Sequence, residues 1–146
     1  MSKVNKICIG SDHAGFELKE KLKKYLLSKG IEIIDKGTYS ADSVDYPDYG
    51  HAVANAVLNN ECDFGIAICG SGNGINMAVN KHKGIRGALC WNEEIARLAK
   101  QHNNANVISL PGRFIDEHSA QKIVDAFMTA EFEGGRHQKR IEKIDG

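Results

Sequence analysis

The stretch FGIAICGSGNGINM, from Phe64 to Met77, decides the fold of this chain. Its first six residues form an apolar run rich in isoleucine, which predicts a strand buried on both faces of a parallel sheet. The alternating glycines that follow let the backbone turn sharply into a helix that begins near Asn73. Such a turn leaves backbone N–H groups unpaired beside the positive end of a helix dipole, an arrangement that binds anions.

Cys69 is the last residue of the predicted strand, so we expect its sulfur at the mouth of this anion site. The local field there favours thiolate over thiol. On its own, a cysteine on a buried strand is as often an inert small hydrophobe. The adjoining turn changes that balance, because a base beside an anion-binding turn is what proton abstraction next to a carbonyl requires. Ser71, inside the turn, can cap the helix, hydrogen-bond a substrate oxygen, or do both.

Strand and helix patterns alternate on both sides of this stretch. Strands are predicted over residues 7–9, 31–35, 64–69, 85–90 and 106–110, with helical apolar stripes between them and after the last. Gly30 ends the first helix, and Pro47 is expected at the first position of the second. Five strands that alternate with helices predict an α/β fold, in which right-handed crossovers build one parallel sheet covered on both faces. Residues 1–146 are expected to form a single domain.

The composition excludes several classes of function. The 146 residues carry 19 basic and 19 acidic side chains, so nothing indicates nucleic-acid binding or attachment to an anionic membrane. No apolar run approaches the roughly 18 residues of a membrane span, and the N-terminus has no signal-peptide core, so we expect a cytoplasmic protein. The four cysteines form no CxxC pair, and we expect reduced thiols without disulfides.

Other titratable residues lie where ligands of parallel sheets bind, beyond the carboxyl ends of the strands. Asp12 and His13 follow the first strand, either as a helix cap or as ligand contacts. His102 ends the fourth helix, where a histidine more often complements the helix dipole, and the residues alone favour that interpretation. No spacing of histidines and cysteines resembles a metal site. Three further histidines are expected to be solvated: His51, His82 and His118.

The C-terminal tail, residues 134–146, differs in composition from the rest of the chain. Two glycines end the last full helix, and a basic turn follows. Arg136 and Arg140 would share one face of any helix formed there. With Arg113 they are most simply surface charges, although arginines are also the natural grip for a phosphate. The tail has few apolar residues with which to pack on its own domain, so we expect it to reach a neighbouring subunit.

Six blocks of sequence carry a resemblance to a known family. In chain order they are GSDHAGFELKE, DKGTYS with the following VDYP, ICGSGNGINMAVNK, GIRGALC, QHNNANVISL and EGGRHQKR. From Ile7 to about Arg140 they resemble the ribose-5-phosphate isomerase B family, which also includes galactose-6-phosphate isomerase subunits. The resemblance implies a Rossmann-like three-layer sandwich and an aldose-ketose isomerase without a cofactor or metal. Its substrate would be a small phosphorylated sugar, ribose 5-phosphate, converted to ribulose 5-phosphate through an enediolate in the non-oxidative branch of the pentose phosphate pathway.

The resemblance also assigns roles to residues. It implies a homodimer, with a tetramer left open, whose active sites lie between subunits. Cys69 would be the base that moves a proton between C1 and C2, His102 would open the furanose ring, and Ser71 keeps a hydroxyl where the family commonly has threonine. The residues implied to bind the substrate, its phosphate or the enediolate oxygen are Asp12, His13, Gly70, Ser71, Gly72, Asn73, Gly74, Asn103, Arg113, Arg136, His137 and Arg140. The phosphate would be held by arginines of both subunits.

Two alternatives stay open at this point. Within the isomerases, the substrate could be a hexose 6-phosphate such as allose or galactose 6-phosphate, because sequence does not report the distance from Cys69 to the arginines. Galactose-6-phosphate enzymes divide the catalytic residues between two different subunits, and the complete set here favours a self-sufficient chain.

The second alternative is a nucleotide-binding module without chemistry. The segment GSDHAG after the first strand imitates GxGxxG, and Asp35 stands about where a ribose-binding acid belongs. The imitation is weak, because Asp12 replaces the glycine that lets a pyrophosphate approach.

Overall fold

The computed structural model describes residues 4–146. Residues 1–3 lie outside the described residues, and they include the start of the N-terminal segment in which no signal-peptide core is predicted. The strands are β1 (Lys6–Ser11), β2 (Glu32–Asp35), β3 (Phe64–Cys69), β4 (Gly87–Leu89) and β5 (Val107–Pro111). The helices are α1 (Phe16–Ser28), α2 (Tyr46–Leu58), α3 (Asn73–Val79), α4 (Glu93–Gln101), α5 (Glu117–Thr129) and α6 (Arg136–Ile141). Within the described part of the chain, no helix combines the length and apolarity needed to cross a bilayer.

The strands form one parallel sheet in the order β2-β1-β3-β5-β4, with β3 at its centre. All six residues of β3 are buried, as the apolar run predicted. Leu22 of α1 and Ile123 of α5 belong to the core cluster on one face of the sheet, whereas Val53 of α2 and Ile75 of α3 belong to the cluster on the other. The predicted α/β three-layer sandwich is therefore confirmed.

The fourth strand and the start of the second helix differ from their predicted bounds by one or two residues. The fourth strand covers only Gly87–Leu89, because the N–H of Arg86 donates to the side chain of Asn106 (2.7 Å) and not to a neighbouring strand. Pro47 is the second residue of α2, after Tyr46, a position that equally needs no intrahelical N–H donor.

The expectation of four reduced cysteines was also wrong. Cys8 in β1 and Cys62, just before β3, form a disulfide with their Cα atoms 5.7 Å apart. Their separation of 54 residues shows no local pattern, and only the parallel pairing of β1 with β3 brings them together. Cys69 and Cys90 are free and buried.

Candidate active site

Hydrogen bonds tie together three strand ends at the carboxyl edge of the sheet. The backbone N–H of Asp12, after β1, donates to a carbonyl of β3 (3.2 Å). After β5, the N–H groups of Gly112 and Arg113 donate to the carbonyls of Cys69 (2.8 Å) and Gly70 (3.0 Å). The loops that carry these predicted site residues are thus fixed against one another by the backbone.

The turn after β3 has the unpaired donors that its sequence predicted. Cys69 is 4% exposed, with its side chain in the core cluster beneath α2 and α3. The backbone N–H groups of Gly70, Ser71, Gly72 and Gly74 donate to no residue within 4–146. Unpaired N–H groups in one turn are ready to bind an anionic oxygen. The turn therefore places a thiol beside a potential oxyanion site.

The turn requires glycine at its centre. Gly72 has φ +79°, and a Cβ there would lie 2.5 Å from Leu89 and 3.1 Å from the backbone of Leu110. Gly72 is also the residue before α3, so Ser71 is not the N-cap; its hydroxyl accepts from the N–H of Asn73 (3.2 Å). The hydroxyl is otherwise exposed and available to a ligand.

Arg113 and His13 lie on an open groove of about 480 Å³ beside this turn. A Cβ at Gly70 would come within 3.3 Å of the Arg113 guanidinium, so glycine lets the arginine lie over the turn. The Nδ1 atom of His13 accepts from the N–H of Val44 (3.2 Å), which leaves Nε2 as the protonated nitrogen of the neutral ring. The groove therefore presents a guanidinium and an imidazole N–H, both suited to a phosphate. Of residues 4–146, those that line it do not include Cys69.

Asp12 lies between these features and is 6% exposed. Its Oδ1 accepts from the N–H of Gly15 (3.1 Å), which is the N-cap residue directly before α1. A Cβ at Gly15 would lie 2.6 Å from the carbonyl oxygen of Ile68, so the loop crosses β3 in close contact. Asp12 therefore supports the start of α1, and its role as a ligand contact stays a prediction.

Asp35 belongs to an ion-pair network and not to a ligand site. The fully buried Lys19 donates to its Oδ2 (2.6 Å), as does Lys23 (2.7 Å), and the N–H of Gly37 donates to Oδ1 (2.8 Å). Burial alone would raise the pKa of Asp35, but these hydrogen bonds hold it below its usual value. A carboxylate so engaged is a poor partner for a ribose hydroxyl, which removes one support of the nucleotide-binding alternative.

A second group of predicted site residues lies at the amino edge of the sheet. His102 follows α4 and precedes β5, so it lies at the strand beginnings. Its ring stacks on that of His137 in α6, with centroids 4.3 Å apart and planes at 11°. The N–H of Glu133 donates to the carbonyl of Gln101 (3.0 Å), which attaches the residue directly before the tail to the end of α4. Burial, with the charges of His102 and Arg136, lowers the pKa of His137.

The tail is attached to its own domain at two points. His137 is buried, and the carboxylate of Asp145 accepts from the N–H of Gly84 (3.1 Å). Arg136, Arg140 and Asn103 are exposed around this anchored segment. The tail thus forms one polar surface with the end of α4.

One copy of the chain does not bring the two groups together. Strand β5 has five residues, so the carboxyl edge with Cys69 and the amino edge with His102 are roughly 15 Å apart. The site residues implied by the sequence therefore form two separate clusters, and each cluster is held together by its own contacts.

Comparison with known proteins assigns the family. Residues 7–144 match the family described as Ribose/Galactose Isomerase. The chain belongs to this family. Among its relatives, ribose-5-phosphate isomerase B of Escherichia coli is 47% identical over 141 residues, which are 97% of this chain and 95% of the relative.

Solved structures of the ribose/galactose isomerase family share the fold. A ribose 5-phosphate isomerase from Thermotoga maritima is 58% identical, with a TM-score of 0.96 over 99% of both chains. Ribose-5-phosphate isomerase B from Mycoplasma genitalium, solved with bound ribulose 5-phosphate, is 46% identical, with a TM-score of 0.91 over 96% of this chain and 93% of that one.

Sequence reasoning missed two residues of this family member's candidate site. The ring of Tyr46 packs on Gly74, where a Cβ would lie 2.5 Å from two ring atoms, so this phenol borders the unpaired turn. The carboxylate of Glu133 lies 3.7 Å from Nε2 of His102 and 3.5 Å from Nε2 of His137. Tyr46 belongs to the VDYP segment of the family resemblance, so its place near the site could have been predicted. No local sequence pattern marks Glu133.

Proposed function

We propose that this chain is a ribose-5-phosphate isomerase whose active sites each combine the carboxyl edge of one subunit with the amino edge of another. The observation that carries the proposal is the turn from Cys69 to Gly74, where a buried thiol adjoins four unpaired backbone N–H groups. The ribulose 5-phosphate bound to the Mycoplasma genitalium relative supports the choice of substrate.

The chemistry follows from these groups. His102 would move the proton that opens the furanose ring and leaves an aldehyde at C1. The thiolate of Cys69 would take the proton from C2 and return it to C1, while the charge of the enediolate develops on oxygen. Fixed N–H donors stabilise that charge more than a neutral carbonyl, and one such donor typically contributes about 100- to 1000-fold. A positioned general base contributes about 100- to 10,000-fold.

Phosphate binding would use cations from both clusters. Arg113 and His13 border the groove at the carboxyl edge, where Arg113 lies over the turn. Arg136 and Arg140 are exposed one helical turn apart on α6, on the surface that also carries His102. A second copy that docked this surface over the turn would bring the ring-opening group and two further guanidinium groups to the substrate. Asn103, exposed beside His102, would reach the sugar from the same side.

The proposal is tested by incubating the purified protein with ribose 5-phosphate in heavy water, with a chelator and no added cofactor. Ribulose 5-phosphate that carries deuterium from the solvent is the expected product, detected in the NMR signals of the sugar protons. A protein that folds by circular dichroism but leaves ribose 5-phosphate unchanged contradicts the proposal. Conversion of allose 6-phosphate in a parallel tube, without conversion of the pentose, would move the assignment to a hexose phosphate.

A further inference from the structure

Three potential metal ligands meet where the tail contacts the end of α4. Ligand atoms of His102, Glu133 and His137 all lie within 4.8 Å of one another. The Oε1 atom of Glu133 is 3.7 Å from Nε2 of His102 and 3.5 Å from Nε2 of His137. The ring stack and the backbone hydrogen bond from Glu133 to Gln101 bring the three residues together. The three side chains are therefore neighbours before any ligand binds, although the near-parallel rings do not yet direct both Nε2 lone pairs at one point.

An independent observation concerns the buried nitrogen of His137. Its side chain is 8% exposed, and its Nε2 has no hydrogen-bond partner within residues 4–146. Buried polar atoms in proteins are normally paired, and 3.5 Å from Glu133 exceeds the length of a good hydrogen bond. A buried, unpartnered nitrogen that faces a carboxylate and a second imidazole is what a cation site needs before it is filled.

We propose that His102, Glu133 and His137 bind one first-row transition-metal ion of the Zn²⁺ class. Two imidazoles and one carboxylate, completed by water, are a donor set that Zn²⁺ uses, whereas Mg²⁺ and Ca²⁺ prefer oxygen donors throughout. Each donor has to approach the ion to about 2.0 to 2.2 Å. His137 is held by burial, while the side chains of His102 and Glu133, 38% and 50% exposed, are free to turn toward the ion, His102 by rotating out of the ring stack.

The ion would act as an inhibitor and not as a cofactor. Coordination occupies the lone pair of His102, so this nitrogen can no longer exchange a proton with the ring oxygen of a sugar. This consequence rests on the proposed isomerase function, whereas metal binding itself does not. Zn²⁺ is therefore expected to inhibit reversibly, with activity restored by a chelator.

The test measures binding directly, with Co²⁺ as a spectroscopic probe and Zn²⁺ in competition with a chromophoric chelator. The chelator-stripped protein should bind one Co²⁺ per chain, with visible absorption of an N/O site and no thiolate-to-cobalt charge-transfer band. Glu133→Gln, which changes an exposed side chain, and His137→Gln should each weaken Zn²⁺ binding by about tenfold or more. His82→Gln is the matched control, because His82 pairs with His51 (2.7 Å) outside the cluster.

The variants distinguish metal binding at the cluster from metal binding at Cys69 or at His82. Undiminished binding in Cys69→Ser, together with weakened binding in Glu133→Gln, supports the proposal. Loss of binding in Cys69→Ser or in His82→Gln, or equal binding in wild type and Glu133→Gln, overturns it. If Zn²⁺ binds as predicted but the protein shows no isomerase activity, the metal site stands and the proposed function fails.

Discussion

At the carboxyl edge of the sheet the backbone supplies most of the chemistry, whereas at the amino edge side chains supply it. The turn after β3 offers four unpaired N–H groups beside Cys69, within six consecutive residues. The amino edge instead joins His102, Glu133 and α6 through a ring stack and one backbone hydrogen bond. The first arrangement suits an oxyanion and the second suits proton transfer and binding of anions. Neither edge alone contains all the groups that a sugar-phosphate isomerase needs.

The largest expected effect comes from the carboxyl edge. Cys69→Ala should lower kcat by about 10³-fold or more in both reaction directions, because the general base is removed, with little change in KM. Cys90→Ala is the matched control, since burial raises the pKa of the Cys90 thiol to about 12 and it faces no site. Steady-state kinetics of both variants checks this. Turnover of Cys69→Ala near the wild-type rate would remove Cys69 from its proposed role.

A change at the amino edge should affect one direction more than the other. Ribose 5-phosphate is mostly a closed ring, but ribulose 5-phosphate cannot close one through its phosphorylated O5. His102→Gln should therefore lower kcat for ribose 5-phosphate by about 10²-fold while conversion of ribulose 5-phosphate is largely retained. Initial rates of the wild type and of His102→Gln, measured in each reaction direction, test this prediction. Equal losses in both directions would mean that His102 acts on the enediolate step or only on the structure.

The smallest effect on turnover is expected from the network behind the carboxyl edge. Asp35→Asn removes one of the two carboxylate partners of the buried Lys19, which keeps only Glu20 (2.8 Å), and should lower the free energy of unfolding by about 2 kcal/mol at pH 7. Turnover of the folded variant should stay near the wild-type value, because Asp35 lies outside the turn. The exposed Asp42→Asn is the control. Urea unfolding of the three proteins measures the difference.

This stabilisation has a defined pH dependence. The pKa of Asp35 is held below its ordinary value of 3.8 in the folded chain, so the ionised form is the stabilising one. The difference between wild type and Asp35→Asn should be complete above about pH 5 and should shrink as the pH falls through the folded-state pKa. A difference that grows toward acid pH would contradict the ion pair as its source.

The two edges differ in how far the sequence predicts them. The strand, the turn and the start of α3 lie in one continuous stretch, and local rules for apolar runs and glycines predict each of them. The cluster of His102 with Glu133 and His137 depends on how α5 returns the chain to α4, so no residue spacing in the sequence predicts it. The Cys8–Cys62 disulfide and the ion pair of Lys19 with Asp35 escaped prediction for the same reason. The cluster, the disulfide and the ion pair all depend on contacts between elements that are far apart in the sequence.

The most direct test of the account mixes two inactive variants. Cys69→Ala damages only the carboxyl edge, and the double variant Arg136→Ala/Arg140→Ala damages only the amino edge. If each site uses one edge from each subunit, a mixed dimer has one site with both defects and one intact site. Random exchange in an equal mixture should then restore about a quarter of wild-type activity. Mixed dimers verified by mass that are no more active than their parents would contradict the shared site.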